Sequence, residues 1–230
     1  MYVESRGKYL PFPGLTEMIK IIFFDMDGVL TAEKSSWFYV NNRLGINNRE
    51  NFLKYMDGKL SYEDFFIRDI RAWIEKYPGI RYDDIKKILD EIEPMPGLEN
   101  AISYLKRKGI MSVIVSGGIL WLAERLVKDF GIDEAYANGI FLDSTGKIIP
   151  DGEVQVNPLK KDTVMKKVME KYNVSPEECI AVGDSESDYS MYRAVNNFIA
   201  FNSDSKALSK ISKITLGGNI MSVINYIKSN

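Results

Sequence analysis

The 230-residue chain is 45% hydrophobic and 27% charged, with a net charge of −2, the balance of a soluble globular protein and not of a nucleic-acid or acidic-membrane binder. It has no histidine and one cysteine, Cys179; this excludes Ser-His-Asp and Cys-His catalysis, His-ligated metal sites and an internal disulfide within one chain, and it fits a reducing cytoplasm. No apolar run approaches the roughly 18 residues of a membrane span, and the first residues lack the apolar stretch of a signal peptide.

Residues 1–17 read as an N-terminal extension, broken by Pro11 and Pro13-Gly14. Met18 then opens a run, MIKIIFFD, whose apolar stretch Ile21 to Phe24 has the character of a fully buried parallel strand. It stops at Asp25, and Asp27 and Gly28 follow. Two carboxylates at the exit of a buried strand are costly unless something compensates them, and a divalent metal or a phosphate-handling site would do so.

From residue 32 to residue 93 the periodicity is helical throughout. Trp37, Phe38, Val40 and Leu44 sit at helical spacing, and Asn47 or Asn48 caps a second helix with Phe52, Leu53 and Met56 on one face. Ser61-Tyr62-Glu63-Asp64 is a capping-box pattern heading a third, with Phe65, Phe66, Ile70, Trp73 and Ile74 at helical steps. Asp83 or Asp84 starts a fourth, carrying Ile85, Ile88, Leu89 and Ile92.

Past Pro94 the pattern becomes strand–helix alternation. A helix over Leu98 to Lys108 ends at Gly109, with Lys106, Arg107 and Lys108 in its last turn. A strand over Ile110 to Val115 leads to Ser116-Gly117-Gly118 and a helix to Phe130. Ala135 to Leu142 and Ile148 to Val156 read as a hairpin around Asp143-Ser144-Thr145-Gly146. Leu159 to Tyr172 is helical, Cys179 to Val182 a buried strand ending at Gly183-Asp184, and Asp188 to Ala194 a short helix. Strands at Phe198 to Phe201 and Lys213 to Leu216 and a helix over Met221 to Ile227 finish the chain. The expectation is an α/β fold: a Rossmann-like parallel sheet with helices on both faces and an inserted helical cap.

Ligands in such sheets bind beyond the carboxyl ends of the strands. Three polar clusters stand there: Asp25 with Asp27, Ser116-Gly117-Gly118, and Gly183-Asp184 with Asp188. Lys160-Lys161 opens the helix between the last two. Each alone is commonplace, as a turn, a loop or a solvated lysine pair. Their order, all at strand ends, is not.

In that order they resemble the motifs of the haloacid dehalogenase superfamily of phosphohydrolases: DMDGVLT the first, VSGG the second, a lysine the third and GDSESD the fourth. MDGKLSYEDF, the VSGG stretch, YAN and AVGD read like the phosphoserine phosphatase-like branch. The resemblance implies a core formed by residues 18–31 and 94–230 and a helical cap over residues 32–93. It implies Asp25 as nucleophile, Asp27 as general acid and base, Ser116 with the Gly117 and Gly118 N–H groups on the phosphate, and Lys161, by its distance to Gly183-Asp184, rather than Lys160, as the balancing cation. Mg²⁺ would be held by Asp25, Asp27, Asp184 and Asp188. On the substrate side it implies Glu33, Met56, Tyr62, Arg68 and Ser187.

Three positions depart from that branch. Lys34 stands where a cap glutamate is expected, Asp69 where a cap arginine is expected, with Arg68 and Arg71 beside it, and Ser187 replaces an asparagine. The expected activity is therefore a Mg²⁺-dependent phosphatase acting on a small soluble phosphorylated metabolite, phosphoserine being the leading one, in a cytoplasmic monomer or homodimer. A phosphomutase and a non-catalytic phosphate-binding regulator are the alternatives.

Overall fold

The structure is a computed structural model that describes residues 2–5, 8–11, 14, 18–195 and 197–230. Two short strands, β1 (Tyr2–Ser5) and β2 (Lys8–Pro11), pair antiparallel ahead of the first core strand, β3 (Ile21–Phe24). Four helices follow: α1 (Ser36–Arg43), α2 (Arg49–Met56), α3 (Tyr62–Lys76) and α4 (Tyr82–Asp90). The chain then runs through α5 (Leu98–Lys108), β4 (Met111–Ile119), α6 (Leu120–Phe130), β5 (Glu134–Leu142) and β6 (Ile148–Glu153). After these come α7 (Lys161–Tyr172), β7 (Cys179–Gly183), α8 (Tyr189–Ala194), β8 (Asn197–Phe201), α9 (Lys206–Ile211), β9 (Ile214–Leu216) and α10 (Met221–Ser229). No helix among the described residues is long and apolar enough to cross a membrane.

Seven strands form one sheet in the order β6-β5-β4-β3-β7-β8-β9, parallel except for the β5–β6 hairpin. The order places β3 centrally, between β4 and β7. Its residues alternate strictly between faces: Ile22 and Phe24 enter one apolar cluster and Ile21 and Phe23 the other. Both faces are covered, which is why the run reads as continuously hydrophobic. The α/β fold expected from the alternation is the fold observed.

The four inserted helices leave and rejoin the sheet at one point, where Thr31 and Pro94 form an isolated antiparallel bridge. Phe66, Ile70, Trp73 and Ile85 from these helices lie in the same apolar cluster as Phe24 and Ile114 of the sheet. Gly146 and Ile148 of the hairpin bond the backbone of Tyr82 and Ile80. The helical segment is thus seated on the sheet through a continuous core.

Ser61 caps α3 as the pattern predicts, its Oγ accepting the Asp64 N–H at 3.0 Å. Asn48 occupies the cap position of α2 but sends its side-chain amide to Asp69, and Asn47 accepts the Arg49 N–H instead. Ser116-Gly117-Gly118, expected to be a loop, lies within β4, with a register shift between Val115 and Ile119 that re-aims the backbone there. Helix α9 carries only a six-residue pattern and has no counterpart in the sequence reading.

Candidate active site

The carboxyl ends of β3, β4 and β7 converge. Asp25 follows β3, and its N–H is held by the Val182 carbonyl of β7 at 2.9 Å. Gly28 takes φ +78°, and a Cβ there would stand 2.4 Å from an Asp184 oxygen, so this turn requires glycine both for conformation and for closeness to the next loop. At the start of α7, the Lys161 N–H donates to Ser190 Oγ at 3.0 Å and sets the helix register.

That register buries Lys161. Its Nζ lies 2.8 Å from Asp25 Oδ2 and 2.6 Å from Asp188 Oδ1, and all three side chains are almost fully enclosed. Lys160 points to solvent. Asp188 uses its other oxygen to accept the N–H groups of Asp184 and Ser185 at 2.9 and 3.1 Å, which folds the GDSESD turn around it. The carboxylate oxygens of Asp25, Asp184 and Asp188 lie within 4.8 Å of one another.

Asp27 is held differently. Its Oδ2 accepts both the Ser36 N–H, at 2.9 Å, and the Ser36 hydroxyl, at 2.8 Å. Ser36 Oγ in turn accepts the Ile119 N–H at 3.1 Å. The second oxygen, Oδ1, is buried with no partner among the described residues. A buried carboxylate oxygen left open in this way is free to carry a proton or to take a donor of its own.

Electrostatics follow from this crowding. Burial pushes the Asp25 carboxyl well above its ordinary value; Lys161 opposes that, while Asp188 and Asp184 reinforce it. Burial raises Asp27 to about 6 against the two bonds from Ser36. Asp184 is raised as well, chiefly by burial. Burial alone would lower Lys161, but the Asp188 and Asp25 carboxylates outweigh it and hold the ammonium protonated. Four buried carboxyls (Asp25, Asp27, Asp184, Asp188) face two ammonium groups, those of Lys161 and Lys34. An all-oxygen donor set with an excess of negative charge fits a hard divalent cation.

Lys34 is the group that sequence reading only flagged as a departure. Its half-exposed ammonium bonds Asp184 Oδ2 at 2.6 Å and the Asn202 carbonyl at 2.9 Å. Ser36 was not singled out at all. The signal available for it was the tandem Ser35-Ser36 at a helix start: Ser35 caps α1, which frees Ser36 to face inward.

The expected substrate-side residues divide. Ser116 is buried, its Oγ accepting the Gly118 N–H at 3.1 Å, and Gly118 packs against Asp27 so closely that a Cβ would meet its oxygen at 2.8 Å. Tyr62 is brought in, but its hydroxyl donates to the Gly117 carbonyl at 2.9 Å. Ser187 stands half-buried beside Ser185. Glu33 meets the site through its carbonyl, which accepts the Gly28 N–H. Met56 is 53% exposed at the end of α2. Arg68 lies on the solvent face of α3 near Asn51, and Arg71 is exposed one turn on. Asp69 is turned inward instead, bonded by Asn41 and Asn48.

Residues 19–196 match the family model of the haloacid dehalogenase-like hydrolases. The chain is 25% identical over 212 residues to a phosphoserine phosphatase of Methanocaldococcus jannaschii, covering 91% of this chain and 98% of the relative. It is 29% identical over 181 residues to a 2-hydroxy-3-keto-5-methylthiopentenyl-1-phosphate phosphatase of Microcystis aeruginosa, covering 76% and 81%. A solved phosphoserine phosphatase holding a phospho-aspartyl intermediate analogue superposes with a TM-score of 0.74 at 23% identity, covering 90% of this chain and 98% of that one. With the family model spanning most of the chain, the protein belongs to the haloacid dehalogenase-like hydrolases.

Proposed function

We propose that this hydrolase is a Mg²⁺-dependent phosphatase that cleaves a small phosphomonoester through a phosphoryl group carried transiently on Asp25. The observation that carries the reading is the Lys161 ammonium lying between Asp25 and Asp188 in a nearly dry site. A buried cation beside a buried carboxylate suits a reaction in which negative charge builds on a transferring group.

In the first step an Asp25 carboxylate oxygen attacks phosphorus and the bond from phosphorus to the ester oxygen breaks. Asp27, raised to about 6 and so able to carry a proton near neutrality, gives that proton to the departing alkoxide. In the second step the Asp27 carboxylate takes a proton from water as the water oxygen attacks phosphorus. The phosphorus–Asp25 bond breaks, and inorganic phosphate leaves. Ser116, whose Oγ already accepts the Gly118 N–H, keeps its hydroxyl proton to donate to a phosphoryl oxygen. Lys161 balances charge on the same group throughout.

The Asp25, Asp184 and Asp188 carboxylates and the Asp27 carbonyl are the groups that would hold Mg²⁺. Bound there, the ion supplies charge neutralisation for the phosphoryl oxygens. Phosphoserine is the leading substrate, supported by the names of several relatives. Lys34 on the rim and the outward Arg68 favour testing other metabolites beside it. A panel of phosphorylated metabolites, including phosphoserine and sugar phosphates, assayed for free phosphate with Mg²⁺ and with EDTA, tests the reading. Release abolished by EDTA is expected, and no release from any compound would refute it.

A further inference from the structure

The YAN stretch, singled out in the sequence without a role, places Asn138 where three parts of the site meet. Asn138 is fully buried. Its amide Nδ2 lies 3.0 Å from the Gly117 carbonyl, 3.0 Å from the Val156 carbonyl and 2.8 Å from the Tyr62 hydroxyl, and its Oδ1 accepts the Val156 N–H at 3.0 Å. An amide has two hydrogens, so these three acceptors share them. The reciprocal pair with Val156 copies a strand ladder in side-chain form and fixes the segment that leads through Pro158 to Lys161. A Cβ on Gly117 would meet Pro158 at 2.9 Å, so that segment and β4 are in close contact at this point.

The Gly117 carbonyl receives three donors: Asn138 Nδ2, the Tyr62 hydroxyl at 2.9 Å and Trp37 Nε1 at 3.1 Å. Trp37 and Tyr62 come from the inserted helices and Asn138 from the sheet. Carbonyl and N–H of one peptide unit lie in one plane, so fixing the Gly117 carbonyl also fixes the Gly118 N–H. That N–H donates to Ser116 Oγ, which directs the serine proton away from Gly118. Tyr55 adds a second tie, its hydroxyl on Asn157 Oδ1, the acceptor that also caps the turn before Lys161.

We propose that Asn138 is a positioning residue that brings Ser116 and Lys161 into register on the phosphoryl group, and that Tyr62 makes this register depend on the inserted helices being seated. The proposal rests on the phosphatase reading of the site. Nothing in it requires Asn138 or Tyr62 to touch substrate. It assigns the Tyr62 hydroxyl to the backbone and not to the substrate.

The test uses Tyr62→Phe, Asn138→Leu, Trp37→Phe and the double variant Tyr62→Phe/Asn138→Leu in the full chain with Mg²⁺. Turnover of p-nitrophenyl phosphate, orthovanadate affinity by calorimetry and the thermal midpoint are read for each. Tyr62→Phe is expected to lower kcat and orthovanadate affinity together by roughly tenfold while KM changes little, the scale of supporting contacts around a reactive centre. The double variant should cost no more than Asn138→Leu alone, because both act on one carbonyl. Ile224→Ala, buried in α10 away from the site, controls for stability: it should lower the midpoint and leave kcat in place. If Asn138→Leu does not fold, Tyr62→Phe and Trp37→Phe decide the matter. Folded variants with wild-type kcat and orthovanadate affinity would overturn the proposal. If the wild type binds orthovanadate without turnover, the phosphatase reading fails and the variants' affinities still decide this inference. A wild type that does neither overturns both.

Discussion

Lys161 and Asp25 are joined by a 2.8 Å ion pair that almost no solvent reaches, and Asp188 closes it from the other side at 2.6 Å. Removing one partner of a buried pair leaves an uncompensated charge, which costs about 3 kcal/mol or more. Lys161→Ala is therefore expected to lose both activity and stability, measured by phosphate release and urea unfolding. Lys160→Ala, on the exposed neighbour, should shift stability by about 0.5 kcal/mol at most and leave the rate near wild type. The reverse ranking would show that the register of α7 is wrong.

Ser36 gives Asp27 two hydrogen bonds through one residue. Ser36→Ala keeps the backbone donor and removes the hydroxyl, which also orphans the Ile119 N–H. The lost bond favours the ionised form, so Asp27 should rise above about 6 in the variant. The expected result is a fall in kcat on p-nitrophenyl phosphate of about tenfold, with the alkaline limb of the pH–rate profile moved upward. An unchanged profile would mean that Ser36 does not hold the acid.

Lys34 bonds the same Asp184 carboxylate that would hold a metal ion. Lys34→Ala removes a competing cation, so calorimetric Mg²⁺ titration should give tighter binding in the variant. Asp184 is buried but Lys34 is half exposed, so water can take the ammonium's place and the pair contributes about 1 kcal/mol or less to stability; the thermal midpoint should hardly move. Weaker Mg²⁺ binding would show instead that Lys34 helps to shape the site.

Asp69 carries the clearest pH signature away from the reactive centre. Burial raises it from 3.8 to about 6, against the bonds from Asn48 and Asn41. A carboxyl with a folded pKa above its unfolded one binds more protons in the folded state between those values. Its contribution to stability therefore falls as pH rises from about 4 to about 6 and is flat above. Asp69→Asn cannot titrate. The stability of wild type relative to the variant, from urea unfolding, should drop by about 2 kcal/mol between about pH 4.5 and pH 7.5. A constant difference would place Asp69 in a solvated setting.

Much of the fold was legible from spacing alone, while the roles of the site residues came from the resemblance of their motifs. Ile21 to Phe24 reads as a buried strand because both its faces are covered, and Ser61 reads as a cap because its hydroxyl has one nearby donor to satisfy. The acidic clusters were visible because carboxylates at strand exits have few inexpensive explanations. What was not legible depends on which way a helix faces. One residue on α3 is about 100° of rotation, and that separates the outward Arg68 from the inward Asp69. Ser36 escaped notice, and Trp37 and Asn138 carried no site role, because their partners lie far off in sequence: Ser36 reaches Ile119, and Trp37 and Asn138 both reach Gly117. No local pattern encodes such pairings.

The central claim is that Asp25 carries the phosphoryl group. Acid-quenched turnover of p-nitrophenyl phosphate, followed by peptide mass spectrometry, tests it most directly. One phosphoryl group on the peptide containing Asp25, absent from Asp25→Asn, which should fold yet release no phosphate, is the predicted result. A label on another residue, or wild-type turnover by Asp25→Asn, would contradict it.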